Sequence, residues 1–557
     1  MSDNLIERTP SAYSYPLLIK DLLLTPLEHA PEQEIVYRDL RRYTYAELGQ
    51  RIARLANGLE KLGVKRGDTV AVLDWDTPRY LECFFAVPML GAVLHTVNIR
   101  LSPEQILYTL NHARDDVILV NAEFLPVLEA IKDRLETVKR FVLLTDAVER
   151  PISSLSFAAE YEELLESSSP SYNFPDFDEN TRATTFYTTG TTGLPKGVYF
   201  SHRQLVLHSL AVMAVLAMPG KGQCFHGEDV YMPITPMFHV HAWGLPYVAT
   251  MMGVKQVYPG RYTPDVLLQL IQSEHVTFSH CVPTILHMLL NHPASENVDL
   301  HGWRVVIGGS ALPKALARTA LERGVDVFAG YGLSESCPVL SLAQLTPELL
   351  DATPGDQVNV RTKAGRTIPL VNLRIVDSEL RDQPHDGVAS GEVVVRAPWL
   401  TQGYLNDAAS SEVLWAGGYM HTGDIGAIDP QGYLTITDRI KDVIKSGGEW
   451  ISSLQLEDIL LECPGISEAA VIAIPDERWG ERAFAVVVPK PTYVGQLTEQ
   501  ELVSHVQRYV DDGIISRWAI PVGVRFVDAL DKTGVGKFDK KLLRQKYHAS
   551  VAPPLTR

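Results

Sequence analysis

The chain has 557 residues, of which 46% are hydrophobic and 21% charged, and it carries a formal net charge of −17 at pH 7. This length is too great for one compact core, and it predicts roughly two to four domains of ordinary soluble composition. The acidic balance argues against nucleic acid as a partner, because it implies no large basic surface.

The cysteines and the apolar segments bear on where the protein works. The five cysteines are far apart and form no CxxC pair, which is typical of a reducing compartment. Met1 to Asn4 lack the basic and apolar regions of a secretory signal. The longest apolar run, Leu205 to Met218, contains His208 and Ser209 and is too short to span a bilayer, so it predicts a buried helix. We expect a cytoplasmic protein without an integral membrane segment.

The first half of the chain alternates strands and helices. Thr44 and Glu47 form a capping box ahead of apolar residues at helical spacing. An apolar strand over Thr69 to Leu73 and a helix after Pro78 follow. Such alternation predicts a doubly wound α/β architecture. The segment 153–180, rich in Ser, Glu and Pro, predicts a surface excursion.

Two buried strands in the middle of the chain are each followed by glycine-rich segments. One strand precedes Gly308 to Ala311, and the other, over Val325 to Ala329, precedes a predicted turn at Gly330 to Gly332. Ligands of open α/β sheets bind outside the carboxyl ends of strands, so we expect both segments at a binding edge.

The pattern of apolar and turn-forming residues changes towards the end of the chain. After Gly365, short β-like runs separated by Gly, Pro and Asp predict a small β-rich subdomain. From about Asp442, further strands accompany helices that begin at the capping residues Ser452 and Thr498. This last part predicts a separate α/β unit.

One stretch, Tyr187 to Gly197, is unusually dense in hydrogen-bond donors. It holds four threonines, three glycines and Lys196 within eleven residues. The glycines let backbone N–H groups approach a ligand closely, and the hydroxyls and the ammonium add donors that suit a polyphosphate. It is not a Walker A loop, because Lys196 is followed by Gly197 rather than by Ser or Thr. The structural alternative is a flexible surface loop.

Four further stretches carry side chains suited to nucleotide chemistry. Tyr331 to Glu335 offers an aromatic ring, a hydroxyl and a carboxylate, and Tyr419 to Asp424 presents a lone acid in a predicted glycine turn. Asp438 to Asp442 is a charged joint between subdomains, and Asp531 to Lys541 is a basic loop made flexible by glycine. Each is a weak signal alone, since turns and charged joints are common at protein surfaces.

In their order and spacing these motifs resemble the adenylate-forming superfamily, and the resemblance covers nearly the whole chain. The stretches 236–243, 398–404 and 447–452 look most like bacterial medium- and long-chain fatty-acyl-CoA synthetases. The resemblance implies that a carboxylic acid attacks the α-phosphate of ATP, giving an acyl-AMP and pyrophosphate, and that the thiol of coenzyme A then displaces AMP. Such a site must neutralise charge that develops on phosphate oxygens.

The resemblance also implies a fold. It is a large N-terminal adenylation domain, residues 1–440, made of two doubly wound α/β subdomains and a β-rich subdomain at about 360–440. A small, mobile α+β domain, residues 441–557, follows, as in acetyl-CoA synthetase. The expected partners are ATP, coenzyme A and a small carboxylic acid, and the expected state is a monomer or a homodimer.

The resemblance assigns the nucleotide to residues from several parts of the chain. Glu335 and a loop threonine, Thr188 or Thr191, would position Mg²⁺, a hard cation that takes one or two protein oxygens and keeps several waters. Tyr331 would stack on adenine, Ser334 would reach the α-phosphate, and Asp424 would accept both ribose hydroxyls beside Arg439. The phosphate-binding residues would be Thr188, Thr189, Gly190, Thr191, Thr192, Gly193 and Lys196, and the adenine slot would be lined by Gly309, Ser310, Ala311, Gly330, Tyr331 and Gly332.

The same resemblance makes Lys537 the catalytic lysine, on a loop that can bring an ammonium between the carboxylate and the α-phosphate. Lys441 resembles the family hinge, about which the C-terminal domain rotates between two catalytic states, and Lys445 would enter the site in the second state. Lys532, Lys540 and Lys541 are interpreted as solvated neighbours or contacts to coenzyme A phosphates.

At the acyl end of the site the resemblance places His239, Val240, Trp243, Gly309 and Trp450. His239 would lie near the α-phosphate, with a catalytic role, and Trp243 would gate the acyl tunnel; the alternative for Trp243 is a packed core aromatic. His239 and His241 alternate and would share a face on a strand, but no third ligand for a metal site is evident.

Three hypotheses remain open at this level. The first is a CoA ligase for a medium- or long-chain fatty acid, and the second is one for a short, thioether-containing or aryl-substituted acid. The third, from a different class, is a non-catalytic nucleotide-binding protein that keeps the fold.

Overall fold

The computed structural model describes residues 4–188, 194–219, 222–446, 449–476, 478–532 and 538–547, with the backbone alone at 449–450. The strands, numbered along the chain, are β1 (Glu34–Tyr37), β2 (Arg41–Thr44), β3 (Thr69–Leu73), β4 (Val93–Thr96), β5 (Val117–Asn121), β6 (Arg140–Leu144), β7 (Phe157–Glu160), β8 (Arg182–Thr188), β9 (Lys196–Ser201), β10 (Val230–Pro233), β11 (Lys255–Tyr258), β12 (Phe278–Cys281), β13 (Arg304–Ile307), β14 (Asp326–Gly332), β15 (Val339–Leu342), β16 (Arg366–Thr367), β17 (Asn372–Val376), β18 (Ser390–Arg396), β19 (Met420–Ile428), β20 (Leu434–Arg439), β21 (Ile444–Ser446), β22 (Glu449–Ile451), β23 (Ile466–Asp476), β24 (Gly480–Pro489) and β25 (Val524–Phe526).

The α-helices, numbered in the same way, are α1 (Leu24–His29), α2 (Tyr45–Lys61), α3 (Pro78–Met89), α4 (Pro103–Ala113), α5 (Leu125–Ile131), α6 (Tyr161–Glu166), α7 (His202–Ala217), α8 (Val240–Trp243), α9 (Leu245–Met251), α10 (Pro264–Glu274), α11 (Pro283–Leu290), α12 (Lys314–Glu322), α13 (Pro347–Leu350), α14 (Pro354–Arg361), α15 (Ala408–Leu414), α16 (Ser453–Leu461), α17 (Glu499–Asp511) and α18 (Lys540–Tyr547).

Two large sheets make up the first two-thirds of the molecule. One has the order β7-β6-β5-β3-β4-β8-β9, and only its last pair, β8–β9, is antiparallel. The other has the order β16-β15-β14-β13-β12-β10-β11-β1-β2, with a parallel centre and antiparallel strands at both edges. Parallel neighbours joined by helical crossovers are the mark of a doubly wound fold, as predicted.

Two smaller sheets follow. The antiparallel sheet β17-β18-β19-β20 is the predicted β-rich subdomain. The last sheet, β22-β21-β24-β23 with β25 beside β24, packs with α16 and α17 around a core of its own. This arrangement confirms the predicted α+β unit at the C-terminal end.

The capping residues begin their helices as the sequence predicted. Thr44 Oγ1 accepts the Glu47 N–H (3.3 Å) while Glu47 Oε2 accepts the Thr44 N–H (2.7 Å), and Thr498 and Glu501 repeat this at α17. The apolar run 205–218 lies in α7 except for its last residue, Met218, which follows the helix, and the run is largely buried. Among the described residues, no helix combines the length and apolar character needed to cross a bilayer.

The prediction of a surface excursion at 153–180 was wrong in its first part. Strand β7 extends the edge of the first sheet, and α6 packs on α2. Tyr161 is fully buried and donates a hydrogen bond to the buried carboxylate of Glu82 (2.6 Å). The Ser- and Glu-rich composition concealed this element, because a few large residues supply its whole packing face.

Candidate active site

The predicted phosphate loop is the end of a hairpin. In the β8–β9 pair, Thr188 lies opposite Lys196 and Tyr187 lies opposite Gly197. The remaining predicted phosphate-binding residues of this stretch, Thr189, Gly190, Thr191, Thr192 and Gly193, lie outside the described residues. A Walker A loop leads from a strand into a helix, so this strand-to-strand connection agrees with the distinction drawn from the sequence.

Lys196, beside the hairpin, is joined to Glu335 through a tyrosine. The Lys196 Nζ donates to Ser410 Oγ (2.7 Å) and lies 4.5 Å from the centre of the Tyr404 ring. Tyr404 Oη donates to Glu335 Oε1 (2.7 Å). The lysine predicted to bind phosphate and the carboxylate predicted to hold the metal are thus brought together by Tyr404, a residue of the connection between β18 and α15.

Tyr404 was missed as a functional residue from the sequence. It stands in the stretch 398–404 that carried part of the family resemblance, but nothing in that stretch indicated what its ring would contact. Its backbone forms an isolated bridge with Val198 of β9, and the Leu405 N–H donates to Gly197 O (2.8 Å). These contacts join the β-rich subdomain to strand β9 of the β8–β9 hairpin.

Asp424 and Tyr331 meet as the resemblance implied, but Asp424 does not lie in a turn. It lies within β19, opposite Arg439 of β20, and is 3% exposed. Tyr331 Oη donates to Asp424 Oδ2 (2.7 Å), and Arg439 Nε lies 3.2 Å from Oδ1. The turn prediction was wrong because Gly423, at φ +69°, bends the strand without ending it. Burial, followed by the charge of Asp424, raises the pKa of Tyr331 well above its ordinary value.

The predicted turn at Gly330–Gly332 is likewise part of a strand. Strand β14 leaves its parallel neighbour β13 and continues through Gly332 as an antiparallel partner of β15. A Cβ on Gly332 would lie 1.8 Å from Pro338 O, so the close approach of β15 requires glycine here. At the same sheet edge Gly309, Ser310 and Ala311 follow β13 and are exposed to solvent. Ser334 begins a short 3₁₀ helix directly after this strand.

The short element α8, directly after His239, is a left-handed turn rather than a right-handed helix. Val240, His241, Ala242, Trp243 and Gly244 have φ values of 48°, 53°, 47°, 61° and 73°. Left-handed backbone costs a non-glycine residue about 1–2 kcal/mol, so only well-determined surroundings keep such a turn. The prediction that His239 and His241 would share a strand face was therefore wrong, and the described residues contain no group of three or more His, Cys, Asp or Glu side chains placed to hold a metal ion.

Trp243 packs against Gly308, beside the residues predicted to line the adenine slot. It is 6% exposed, its ring lies 5.0 Å from that of His280, and a Cβ on Gly308 would lie 2.9 Å from its Cη2 atom. His239 is half-buried at the start of the turn, and Val240 is buried. His241 is enclosed by Phe84, Phe186, Phe200 and Tyr247.

The predicted hinge and catalytic loop lie at the C-terminal unit. Lys441 precedes β21 and Lys445 lies within it, and both are exposed. Lys537 and the side chain of Trp450 lie outside the described residues. The interpretation of Lys540 as a solvated lysine was wrong, because its side chain is 11% exposed and its Nζ lies 2.7 Å from Glu457 Oε1 and from Ser453 Oγ. Lys532 is also paired, with Glu468 (2.5 Å), whereas Lys541 is exposed.

Comparisons with known proteins agree with this geometry. The model of the AMP-binding enzyme family matches residues 25–405, and that of the AMP-binding enzyme C-terminal domain matches residues 455–537. The chain is 44% identical over 522 residues to a long-chain-fatty-acid–CoA ligase of Thermus thermophilus, covering 92% of this chain and 93% of the relative. It is 39% identical over 548 residues to a 3-methylmercaptopropionyl-CoA ligase of Ruegeria lacuscaerulensis, covering 96% and 97%.

Among solved structures, a crystal structure of the anthranilate CoA ligase AuaEII in complex with anthranoyl-AMP superposes with a TM-score of 0.83 at 23% identity, covering 97% of this chain and 99% of that one. This likeness confirms the fold predicted from the sequence. The chain belongs to the AMP-binding enzyme family and is an AMP-forming acyl-CoA synthetase.

Proposed function

We propose that the protein joins a medium- or long-chain fatty acid to coenzyme A in two steps. In the first, an oxygen of the acid attacks the α-phosphorus of ATP, the bond to the β-phosphate breaks, and pyrophosphate leaves. In the second, the sulfur of coenzyme A attacks the acyl carbon, AMP leaves, and the thiol proton is released. The carrying observation is the convergence of Lys196, Glu335 and the Tyr331–Asp424 pair around sheet edges that bind ligands in α/β folds.

Each of these side chains suits one part of the nucleotide. The two oxygens of Asp424 match the two adjacent hydroxyls of a ribose, with Tyr331 and Arg439 holding the carboxylate in place. The ring of Tyr331 offers a face to adenine. Lys196 and the hairpin would hold the pyrophosphate that leaves. Ser334, after β14, would reach the α-phosphate.

Mg²⁺ fits the donors at the same place. Glu335 is half-buried, and Thr188 is the last residue of β8. Their carboxylate and hydroxyl oxygens are hard ligands of the kind that this cation prefers. When bound, the cation would neutralise negative charge on the phosphates. The choice between Thr188 and Thr191 stays part of the proposal.

Lys537 is the proposed catalytic lysine of the first step, and Lys441 the proposed hinge between domains 1–440 and 441–557. Lys537→Ala should abolish formation of acyl-AMP and pyrophosphate, because the carboxylate and the phosphate would approach without a bridging cation. Thioester formation from supplied acyl-AMP should be largely retained. Equal loss of both half-reactions would contradict the two-state scheme.

Two classes of carboxylic acid are supported as the substrate by the relatives of this chain. The similarity to a long-chain ligase supports a fatty acid, and the similarity to a 3-methylmercaptopropionyl-CoA ligase favours a short thioether acid as the second candidate. Pyrophosphate release and CoA consumption should be measured over saturated acids of graded length together with thioether and aryl acids. The highest kcat/KM identifies the substrate class, and a maximum on the short thioether acid would overturn the fatty-acid proposal.

We also propose that the enzyme acts in the cytoplasm as a monomer or homodimer. All five cysteines are free, which suits a reducing compartment. Cell fractionation together with light scattering of the purified protein tests both statements.

A further inference from the structure

The loop that precedes the left-handed turn is held by side chains of the other large sheet. This loop, Pro236–His239, follows β10 of the nine-stranded sheet, whereas Asp76 and Thr96 stand at the carboxyl ends of β3 and β4 in the seven-stranded sheet. Asp76 Oδ1 accepts the Met237 N–H (2.7 Å), and Thr96 Oγ1 donates to Phe238 O (2.9 Å). The peptide groups that join Pro236 to Met237 and Phe238 to His239 are thus each held by a side chain of the seven-stranded sheet.

Asp76 is itself anchored. It is 3% exposed, it forms an isolated bridge with Gly260, and its carbonyl oxygen accepts the Gly260 N–H (2.8 Å). Its second carboxyl oxygen, Oδ2, is buried without a hydrogen-bond partner in the described part of the chain. Burial raises the pKa of Asp76 to about 8, which favours a neutral carboxyl group at this position. A neutral acid and an amide present the same carbonyl acceptor to the Met237 N–H.

The far end of the turn is fixed by packing. A Cβ on Gly244 would lie 2.8 Å from His208 Nδ1, and the Trp243 ring rests on Gly308. With that end closed by van der Waals contact, the hydrogen bonds at Met237 and Phe238 determine where the turn begins, and His239 is the residue at that start.

We propose that Asp76 is a positioning residue for the adenylation step, which through the Met237 N–H sets the place of His239 and of the left-handed turn that carries Trp243. The inference rests on the proposed function of the site, in which His239 lies near the α-phosphate. It adds a residue next to the seven-stranded sheet that is not among the proposed ATP contacts.

The test compares two substitutions at position 76 with a matched control. Asp76→Leu keeps the branched shape and removes the acceptor, whereas Asp76→Asn keeps both. Glu160 is a buried acid of the same sheet, at its far edge, which likewise accepts a backbone N–H (Glu163, 3.1 Å) and has one carboxyl oxygen without a hydrogen-bond partner in the described part of the chain. Glu160→Leu therefore reports the effect of losing such a group away from the site.

Pyrophosphate release by the unchanged enzyme with its best acid is measured first, and its absence would refute the proposed function rather than this inference. With release established, Asp76→Leu should lower kcat for adenylation at least tenfold and change KM for ATP less than twofold, because the nucleotide contacts lie elsewhere. Asp76→Asn should keep at least half of the kcat.

Two results would overturn the proposal. One is a kcat of Asp76→Leu equal to that of Glu160→Leu, and the other is an Asp76→Asn variant as slow as Asp76→Leu. If Asp76→Leu does not fold, Thr96→Val decides, since it removes the contact to Phe238 O: a fall in kcat of threefold or more at unchanged KM for ATP supports the inference, and an unchanged kcat contradicts it.

Discussion

At the scale of single residues, Tyr404 links two functions that the sequence had assigned to separate motifs. Its hydroxyl orients Glu335, and its ring faces the ammonium of Lys196. A hydrogen bond to a charged group contributes about 1.5–3 kcal/mol, and a cation near an aromatic ring at a partly exposed site contributes about 0.5–1 kcal/mol. The two contributions can be separated, because phenylalanine keeps the ring and leucine keeps neither.

We predict that Tyr404→Phe raises the Mg²⁺ concentration needed for half-maximal pyrophosphate release by about three- to tenfold, since Glu335 loses the bond that orients it. Tyr404→Leu should in addition raise KM for ATP, since Lys196 loses its aromatic neighbour. Initial rates over a series of Mg²⁺ concentrations at fixed ATP measure the first quantity. Initial rates over a series of ATP concentrations at fixed Mg²⁺ measure the second. Tyr433→Phe is the control, because that buried hydroxyl donates to the Gln344 carbonyl away from the site (2.8 Å). Identical changes in the two Tyr404 variants would contradict the separation.

Asp424 gives a second prediction at this scale. Asp424→Ala leaves Arg439 and Tyr331 without their shared acceptor and removes both proposed ribose contacts, so KM for ATP should rise at least tenfold. Asp424→Asn keeps one acceptor oxygen, so its KM for ATP should lie between those of the unchanged enzyme and of Asp424→Ala. Activity with a 2′-deoxy analogue of ATP, measured in all three proteins, provides the check: the penalty for the missing hydroxyl should shrink in Asp424→Ala, and an unchanged penalty would place the ribose elsewhere.

At the scale of elements, the left-handed turn carries a buried histidine with a consequence for pH. Burial lowers the pKa of His241 to about 3, well below the ordinary value near 6.5, and neither ring nitrogen has a hydrogen-bond partner within the described chain. The folded protein therefore keeps the ring neutral while the unfolded chain takes up a proton below pH 6.5. Stability is present above that pH and is lost as pH falls, by at most about 2 kcal/mol at pH 5 for one such group.

His241→Phe should reduce this loss, because phenylalanine does not titrate and suits the surrounding rings. The difference in melting temperature between pH 7.5 and pH 5 should be smaller in the variant than in the unchanged protein. Exposed His301→Gln, as control, should keep the original difference. His202, His208 and His280 are buried with similarly lowered pKa values, so the variant should remove part of the acid sensitivity rather than all of it. An unchanged difference would show that the ring is already solvated.

The elements also show which features a sequence reveals and which it does not. Helix caps such as Thr44 and Thr498 depend on a residue three positions along the chain, so the local sequence pattern predicts them. Gly330 and Asp424 were assigned to turns because glycine is common in turns, yet their strands continue with partners distant in the chain. The left-handed turn after His239 has no local signal either, since its cost is met by contacts from another sheet. Asp76 and Tyr404 escaped notice for the same reason.

At the scale of the whole molecule, contacts around Lys441 fall into two groups. Arg544 of α18 pairs with Asp442, and Lys540 pairs with Glu457, so both pairs join residues that follow the proposed hinge. By contrast, Asp438 accepts the Ser453 N–H at the start of α16 (2.5 Å), and Ser452 donates to the Thr437 carbonyl. These bonds span residue 441, so the proposed rotation would break them, whereas the first group would persist in both proposed states.

This difference predicts opposite behaviour for two substitutions. Asp438→Asn weakens an attraction between a carboxylate and a helix N-terminus that the proposed rotation would break, so it should shift the balance towards the proposed second state. The rates of adenylation and of thioester formation from supplied acyl-AMP should then change in opposite directions, altering their ratio at least threefold.

Arg544→Ala is the control. It weakens a contact that would be present in both proposed states, so it should leave the ratio of the two rates within twofold even where both rates fall. Proportional changes of the two rates in Asp438→Asn would contradict a rotation at Lys441, because a contact that breaks between the states cannot affect both half-reactions alike.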